Sequence, residues 1–320
     1  MRIIFMGAGE IGLPSLRWLL DHRGDHEIVG IYTQPDKRVG RKQILTPPAV
    51  KVMAEEASVP VFQPDSFRNN ESALDELKAL HVDLAIVMAY GQILPRDVIE
   101  APTKACINLH ASLLPRHRGA SPIQAAIRDG DSETGITLMH IEPKLDAGDM
   151  ILKEVTPILP EDTGGTLHDR LAGLGPILLE RAFPLLAGES IGGEPQNEEL
   201  VTYSGKLERD QGRIDWTRPA RELELLIRAY DPWPGTFTEI DLNGDIRKLK
   251  IFSPTTPGPD QDQPPGTVTS NETGLTIACG EGSLHLGGDL QLEGRKRIAA
   301  ADLLRGVEIP VGTILQSRQD

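Results

Sequence analysis

Cysteine is nearly missing. The 320-residue chain has two, Cys106 and Cys279, far apart and without ligand spacing around them. That argues against a disulfide scaffold and predicts two free thiols in a reducing cytoplasm. No C-x-x-C, H-E-x-x-H or Walker pattern occurs, so neither a metal nor a nucleotide triphosphate is expected. Long apolar runs are absent too, and nothing approaches the roughly 20 residues of a membrane span. The apolar start, Met1 to Gly7, is too short for a signal segment and runs into a glycine turn, so it reads as a first strand. Positive charge is in deficit: 33 Lys and Arg stand against 47 Asp and Glu, a net charge of −14. In bulk this argues against a nucleic-acid partner. The rest of the composition, 39% hydrophobic and 25% charged, is that of an ordinary globular protein. Its length exceeds what one core usually fills, so two domains are expected.

The summed charge conceals local clusters. Between Gln34 and Lys51, five basic residues (Lys37, Arg38, Arg41, Lys42 and Lys51) face one acid, Asp36. Lys206, Arg209 and Arg213 form a second cluster, and Arg295-Lys296-Arg297 a third.

Short apolar runs recur at the spacing of alternating strands and helices: Ile3–Met6, Glu27–Thr33, Val61–Gln63, Asp83–Met88 and Ala105–His110. They are continuous and not alternating, as a parallel sheet covered on both faces requires. Helical spacing lies between them, near Ile11–Leu20, Pro48–Ala57 and Glu71–Leu80. Later strands are expected over Gly135–Glu142 and Asp149–Thr156, then a helix over Thr166–Leu186 that contains Pro176 and Pro184. The predicted class is α/β, a Rossmann-like doubly wound, mostly parallel sheet over residues 1–187. Residues 188–205 have linker composition. From residue 206 to 320 the pattern changes to one helix, Arg221–Ala229, and short strands punctuated by Gly and Pro: Gly235–Ile240, Leu249–Pro254, Gly266–Ser270, Gly274–Ala278 and Ser283–Leu292.

Gly7-Ala8-Gly9-Glu10-Ile11-Gly12 matches G-x-G-x-x-G between a strand and a helix, the dinucleotide-binding fingerprint. The acid that should end the second strand is missing, because Ile31-Tyr32-Thr33-Gln34 stands there. A bound dinucleotide is therefore not the favoured reading.

Asn108 and His110 sit two apart at the polar end of the strand Ala105–His110, so both project from one face. Open α/β sheets bind ligands beyond the carboxyl ends of such strands. A polarising carboxamide, an acid–base imidazole and a later carboxylate, Asp146, suit acyl-type transfer without metal or covalent intermediate.

The run Asn108-Leu109-His110, Ser112-Leu113-Leu114-Pro115 through Arg118-Gly119, and the later Asp146 resemble the folate-dependent formyltransferases. Further motifs are similar to the methionyl-tRNA formyltransferases of that family. They are Thr33-Gln34-Pro35-Asp36, Ala89 to Pro95, Gly205-Lys206-Leu207, Gly212 to Trp216, Trp233 to Phe237 and Gly294 to Arg297. The glycine-rich turn departs from the family's usual Gly-Thr-Pro-Glu-Phe-Ala at Ala8, Gly9, Ile11 and Gly12, while Glu10 and Pro14 are kept.

The resemblance implies a formyl transfer from 10-formyltetrahydrofolate to the amine of initiator methionyl-tRNA, with no metal, membrane or obligate protein partner. It assigns catalysis to Asn108, His110 and Asp146, and the folate site to Ser112–Pro115 with Met88, Ala89, Tyr90 and Gly91. Asp146 would either orient and charge-balance the imidazole or hold a proton-relaying water. The resemblance further implies an OB-like β-barrel for residues 206–320. The tRNA contacts expected are Lys37, Arg38, Arg41, Lys42 and Arg295, Lys296, Arg297. Three alternatives stay open at this level: an amino-sugar or ribonucleotide acceptor, a dinucleotide redox enzyme, and a non-catalytic RNA-binding module.

Overall fold

The computed structural model describes residues 1–24, 26–40, 42–188 and 191–317. Two compact units emerge. The first comprises Met1–Gly119, Glu133–Thr156 and His168–Ser204, and the second Ala120–Ser132, Pro157–Leu167 and the chain from Gly205 onward.

The strands through the first two hundred residues are β1 (Arg2–Gly7), β2 (Glu27–Tyr32), β3 (Lys37–Val39), β4 (Ile44–Thr46), β5 (Val61–Phe62), β6 (Leu84–Met88), β7 (Ala105–His110), β8 (Arg118–Gly119), β9 (Glu133–His140), β10 (Met150–Pro157) and β11 (Tyr203–Ser204). Helices α1 (Leu13–Asp21), α2 (Ala49–Glu56), α3 (Glu71–Ala79), α4 (Arg96–Ile99), α5 (Pro122–Arg128) and α6 (Gly164–Leu186) lie among them. Seven strands form one sheet in the order β10-β9-β7-β6-β1-β2-β5. β5, β2, β1, β6 and β7 are parallel, and β9 joins β7 antiparallel. Every residue of β6 is buried, which is why these strands read as unbroken apolar runs. The chain proceeds outward from β1 through β2 to β5, then returns to place β6 on the other side of β1. That reversal opens the crevice in which α/β sheets receive ligands.

The seven strands of the large sheet and the helices α1 to α3 and α6 fall where the sequence predicts them. The Asn70 side chain caps α3 by accepting from the Ala73 amide at 3.1 Å. The exposed hairpin β3–β4, the short strands β8 and β11 and the helices α4 and α5 have no counterpart in the sequence pattern. Nor is the stretch of linker composition a free tether. Glu194 bridges Met150, and β11 pairs in parallel with β8. A Cβ on Gly119, at φ +116°, would collide with the Ser204 carbonyl, so this approach requires glycine.

The second unit adds α7 (Ala220–Tyr230), α8 (Ala300–Gly306) and β12 (Thr236–Leu242), β13 (Asp245–Ile251), β14 (Thr255–Gly258), β15 (Val268–Ser270), β16 (Leu275–Ala278), β17 (Ser283–Leu286), β18 (Asp289–Leu292), β19 (Ile298–Ala299) and β20 (Leu315–Gln316). They form two antiparallel sheets, β19-β18-β13-β12-β20 and β14-β17-β16-β15. A bridge between Thr267 and Ile314 links the β15 and β20 edges, and the chain passes from β13, inside the first sheet, to β14 at the edge of the second. Among the described residues no ladder closes these sheets into a complete barrel, so the unit is an open, barrel-like arrangement. Its core gathers Ile214, Trp216, Leu223, Ile227, Leu249 and Leu284, all fully buried. Trp216 donates to Thr238 Oγ1 at 3.1 Å, which satisfies the one polar atom of its ring system. Two motifs of the resemblance meet here: the Ile214 amide donates to the Phe237 carbonyl at 2.9 Å. At Ile214 and Phe237 they build this unit's interior, whereas Trp233 is exposed.

Candidate active site

The glycine-rich turn faces the crevice but does not offer its amides to it. The N–H groups of Ala8 and Gly9 both donate to the Ala89 carbonyl, at 3.2 and 3.3 Å. A Cβ on Gly12 would press on Phe5, and one on Gly9 on Ala89. The glycines let the end of β1 pack against the end of β6. With the amides of Ala8 and Gly9 turned to Ala89 and the ribose-binding acid missing, this turn departs from a dinucleotide cradle.

Of the four residues from Met88 to Gly91, Met88 and Tyr90 are buried in the core, while Ala89 and Gly91 are exposed. Burial pushes the Tyr90 hydroxyl's pKa well above its ordinary value. The surface of this segment is therefore formed by Ala89 and Gly91. Both have positive φ, +50° and +78°. Ala89 is a non-glycine residue held in the left-handed region, as happens where surrounding structure imposes it.

β7 ends on Asn108 and His110. Asn108 is half-buried, and its carboxamide makes no hydrogen bond among the described residues. His110 is buried, 6% exposed. Its Nε2 lies 2.9 Å from the His117 carbonyl. A carbonyl only accepts, so Nε2 carries the hydrogen, and Nδ1 is the nitrogen left to exchange a proton. Nδ1 lies 3.7 Å from Asp146 Oδ2, just beyond a direct hydrogen bond. The same oxygen accepts from the Gly119 amide at 2.8 Å. A proton arriving at Nδ1 therefore meets a carboxylate whose position is already set.

Loop 111–117 is held by one internal side-chain bond and by side chains of β9 and β10. Ser112 Oγ donates to the Arg116 carbonyl at 2.7 Å. Thr137 Oγ1 donates to the Ser112 carbonyl at 2.7 Å and accepts from the Leu114 amide at 3.1 Å. Lys153 Nζ donates to the Leu114 carbonyl at 2.7 Å, beside the cis Leu114–Pro115 bond. The loop is thus tied down, but the four residues Ser112–Pro115 differ. Ser112 and Leu114 are buried, Leu114 against Met139 and Met150, whereas Leu113 and Pro115 are part-exposed.

The basic clusters also differ from one another. Lys37, Arg38 and Lys42 are exposed on the β3–β4 hairpin beside exposed Val39, Ile44 and Leu45. Arg41 lies outside the described residues. In the second unit Arg295 and Lys296 are exposed. Arg297 is engaged: it stacks 3.8 Å over the Phe252 ring, pairs with Asp289 at 2.8 Å and lies 3.8 Å from Asp231. Burial holds the Asp231 carboxyl above its usual range despite that cation. Arg297→Ala should lower the unfolding midpoint by a few degrees, consistent with a loss of about 1 kcal/mol for a half-exposed cation–ring and ion-pair site. Arg295→Ala with Lys296→Ala should leave it unchanged. Equal melting of both variants would remove this structural assignment.

Sequence spacing does not indicate Thr137, Lys153 or Gln196, which reach the site only through the fold, while Arg118 belongs to the motif but is given no role by it. Among the described residues no three His, Cys, Asp or Glu side chains gather as a metal-binding group, and no helix is long and apolar enough to cross a membrane.

A mostly parallel sheet with a carboxamide, an imidazole and a carboxylate at its carboxyl edge fits a group-transfer enzyme. Residues 1–183 match the family model described as formyl transferase, and residues 206–308 the one for the formyl transferase C-terminal domain. The chain belongs to the formyl transferase family. A methionyl-tRNA formyltransferase of Akkermansia muciniphila is 51% identical to it over 308 residues, 96% of each chain. Among solved structures, the sugar 3N-formyl transferase WlaRD, determined with dTDP and 5-N-formyl-THF, superposes with a TM-score of 0.65 at 17% identity, covering 92% of this chain and 99% of that one. HypX from Aquifex aeolicus, in complex with tetrahydrofolic acid, gives 0.60 at 19% identity. There 95% of this chain is covered but only 47% of HypX, so the chain spans about half of that protein's length.

Proposed function

We propose that the chain transfers the formyl group of 10-formyltetrahydrofolate to the free amine of initiator methionyl-tRNA, giving N-formylmethionyl-tRNA for translation initiation in the cytoplasm. The observation that carries this reading is the edge of β7: an uncommitted Asn108 carboxamide, and His110 with only Nδ1 open, facing Asp146. The neutral amine attacks the formyl carbon, and negative charge gathers on the formyl oxygen. Asn108 donates to that oxygen. A preorganised donor of this kind is worth about 2.7–4 kcal/mol where one has been removed. The attacking amine loses a proton, the bond between the formyl carbon and the folate nitrogen breaks as the charge on oxygen collapses back, and that nitrogen gains a proton. Nδ1 of His110 is the ring atom positioned for that exchange, and Asp146 balances the imidazolium. No step calls on a metal or a covalent enzyme intermediate.

Residues 1–187 act as the catalytic part and 206–320 as the tRNA-binding part, joined through 188–205. Leu113, Pro115 and the backbone of Ala89 and Gly91 are positioned to line the folate site. The acceptor assignment is supported by the near-full-length likeness to methionyl-tRNA formyltransferases at about half identity, against 17% for the sugar enzyme.

Leu113→Ser should weaken binding of a stable folate analogue by roughly 5–30-fold, about 1–2 kcal/mol of apolar burial. Leu114→Ser should instead destabilise the fold, as removal of a core side chain costs about 2–5 kcal/mol. Calorimetry and thermal melts read the two effects, and unchanged affinity in Leu113→Ser would move the pocket elsewhere. The function itself is tested by following labelled formyl from 10-formyltetrahydrofolate into methionyl-initiator tRNA, with amino sugars and ribonucleotides as competing acceptors. Transfer to a small molecule and none to the tRNA would overturn the acceptor.

A further inference from the structure

The segment between the two matched family models, residues 184–205, contains a side chain built into the loop that carries Asp146. Gln196 is buried and uses both ends of its carboxamide. Its Nε2 donates to the carbonyls of Asp146 and Gly148, each at 2.8 Å. Its Oε1 accepts from Nε of the fully buried Arg118 at 3.0 Å. Arg118 donates on to Glu198 at 3.0 Å, and Glu198 accepts from Lys144, on the same loop as Asp146, at 2.7 Å. Lys144 and Arg118 together hold the Glu198 carboxyl below its ordinary range.

This bracing meets a backbone that needs it. Asp146 has φ +47°, a left-handed conformation that a non-glycine residue keeps only where its surroundings impose it. A Cβ on Gly148 would collide with the His140 carbonyl, so the turn also packs tightly against the end of β9. Tying the carbonyls of Asp146 and Gly148 to one carboxamide sets the direction in which the Asp146 side chain leaves the loop. We infer that Gln196 is a positioning residue for Asp146: its two donated hydrogen bonds aim the carboxylate at Nδ1 of His110, and Arg118 in turn fixes Gln196. The inference rests on the catalytic reading of Asp146. Misplacement of a reacting group by about 1 Å is enough to cost large factors in rate.

The test uses the full chain. Gln196→Glu keeps the size and the acceptor for Arg118 but loses the N–H groups, and the uncharged Gln196→Asn is too short to reach both carbonyls. Each variant should lower kcat about tenfold, with KM for folate and tRNA within about twofold of the parent and little change in the unfolding midpoint. In an Asp146→Ala background, read by single-turnover with excess enzyme, Gln196→Glu should cost nothing further, because its effect runs through the missing carboxylate. Should Gln196→Glu fail to fold, Gln196→Asn carries the same test. If residual turnover of Asp146→Ala is unreadable, the kcat–KM split decides. Normal kcat in both Gln196 variants overturns the inference, as does the same factor lost again without Asp146. Normal turnover in Asp146→Ala alone is a separate result: it would remove Asp146 from the chemistry, and Gln196's role with it.

Discussion

Asn108→Ala, His110→Ala and Asp146→Ala are each expected to lower kcat strongly while changing KM for folate and tRNA little. For Asn108 the loss should be about 10²–10³, the usual effect of removing one donor to a developing oxyanion. For His110 it should be about 10²–10⁴, the usual contribution of a positioned acid–base group. The reason for the kcat signature is that both roles are realised in the transition state: the formyl oxygen is neutral in the substrate and charged at the saddle point. The effects should also be far from additive. Nδ1 of His110 and Oδ2 of Asp146 are 3.7 Å apart, so they act on one proton, and removing both should cost about as much as removing His110 alone. Asp146→Asn separates the two roles left open for this side chain. An amide retains the size and can still hold a water, but it cannot balance a charged ring. A full loss in Asp146→Asn would assign the charge-balancing role. Near-normal turnover in all three alanine variants would remove the catalytic assignment.

The second large effect is expected at the β3–β4 hairpin. Its register, Lys37 opposite Thr46 through Val39 opposite Ile44, is antiparallel, and it forms a two-stranded sheet of its own. All six strand residues are exposed. Lys51 and Gln63 hold Asp36 at its base, at 3.0 and 2.8 Å, and these two bonds keep the Asp36 carboxyl below its usual range. The one acid of this stretch is therefore neutralised at the root, and the cations stand beyond it. Cations beside exposed Val39, Ile44 and Leu45 suit a nucleic-acid end, where phosphate and base faces lie together. Arg41→Ala with Lys42→Ala should raise KM for the tRNA by roughly tenfold or more, or lower kcat if the hairpin also opens the terminal pair. It should leave folate affinity alone. For each phosphate that is no longer neutralised, the dependence of log K on log salt should flatten by about one unit. Unchanged tRNA kinetics together with an unchanged salt slope would take the hairpin out of recognition and revive a small acceptor.

Much of this is legible in the chain because it depends on local rules. Unbroken apolar runs encode strands buried on both faces, and β1, β2, β6 and β7 fall on them. The two-residue spacing of Asn108 and His110 puts both side chains on one face through the geometry of an extended chain alone. The motif blocks of the resemblance assign the chemistry to that strand end. Other features have no local signal. The β3–β4 hairpin is short and pairs only with itself, so neither periodicity nor length marks it. The glycine-rich turn is identical in pattern to a phosphate cradle, and only the segment after β6 shows that the Ala89 carbonyl takes the amides of Ala8 and Gly9. Arg297 reads like Arg295 in sequence and differs because Phe252 and Asp289 lie beside it. Gln196 sits in a stretch of linker composition, far along the chain from the loop it braces. Local patterns follow from chain geometry over a few residues. A hydrogen bond between distant segments depends on the packing that brings them together, and that packing is a property of the whole fold.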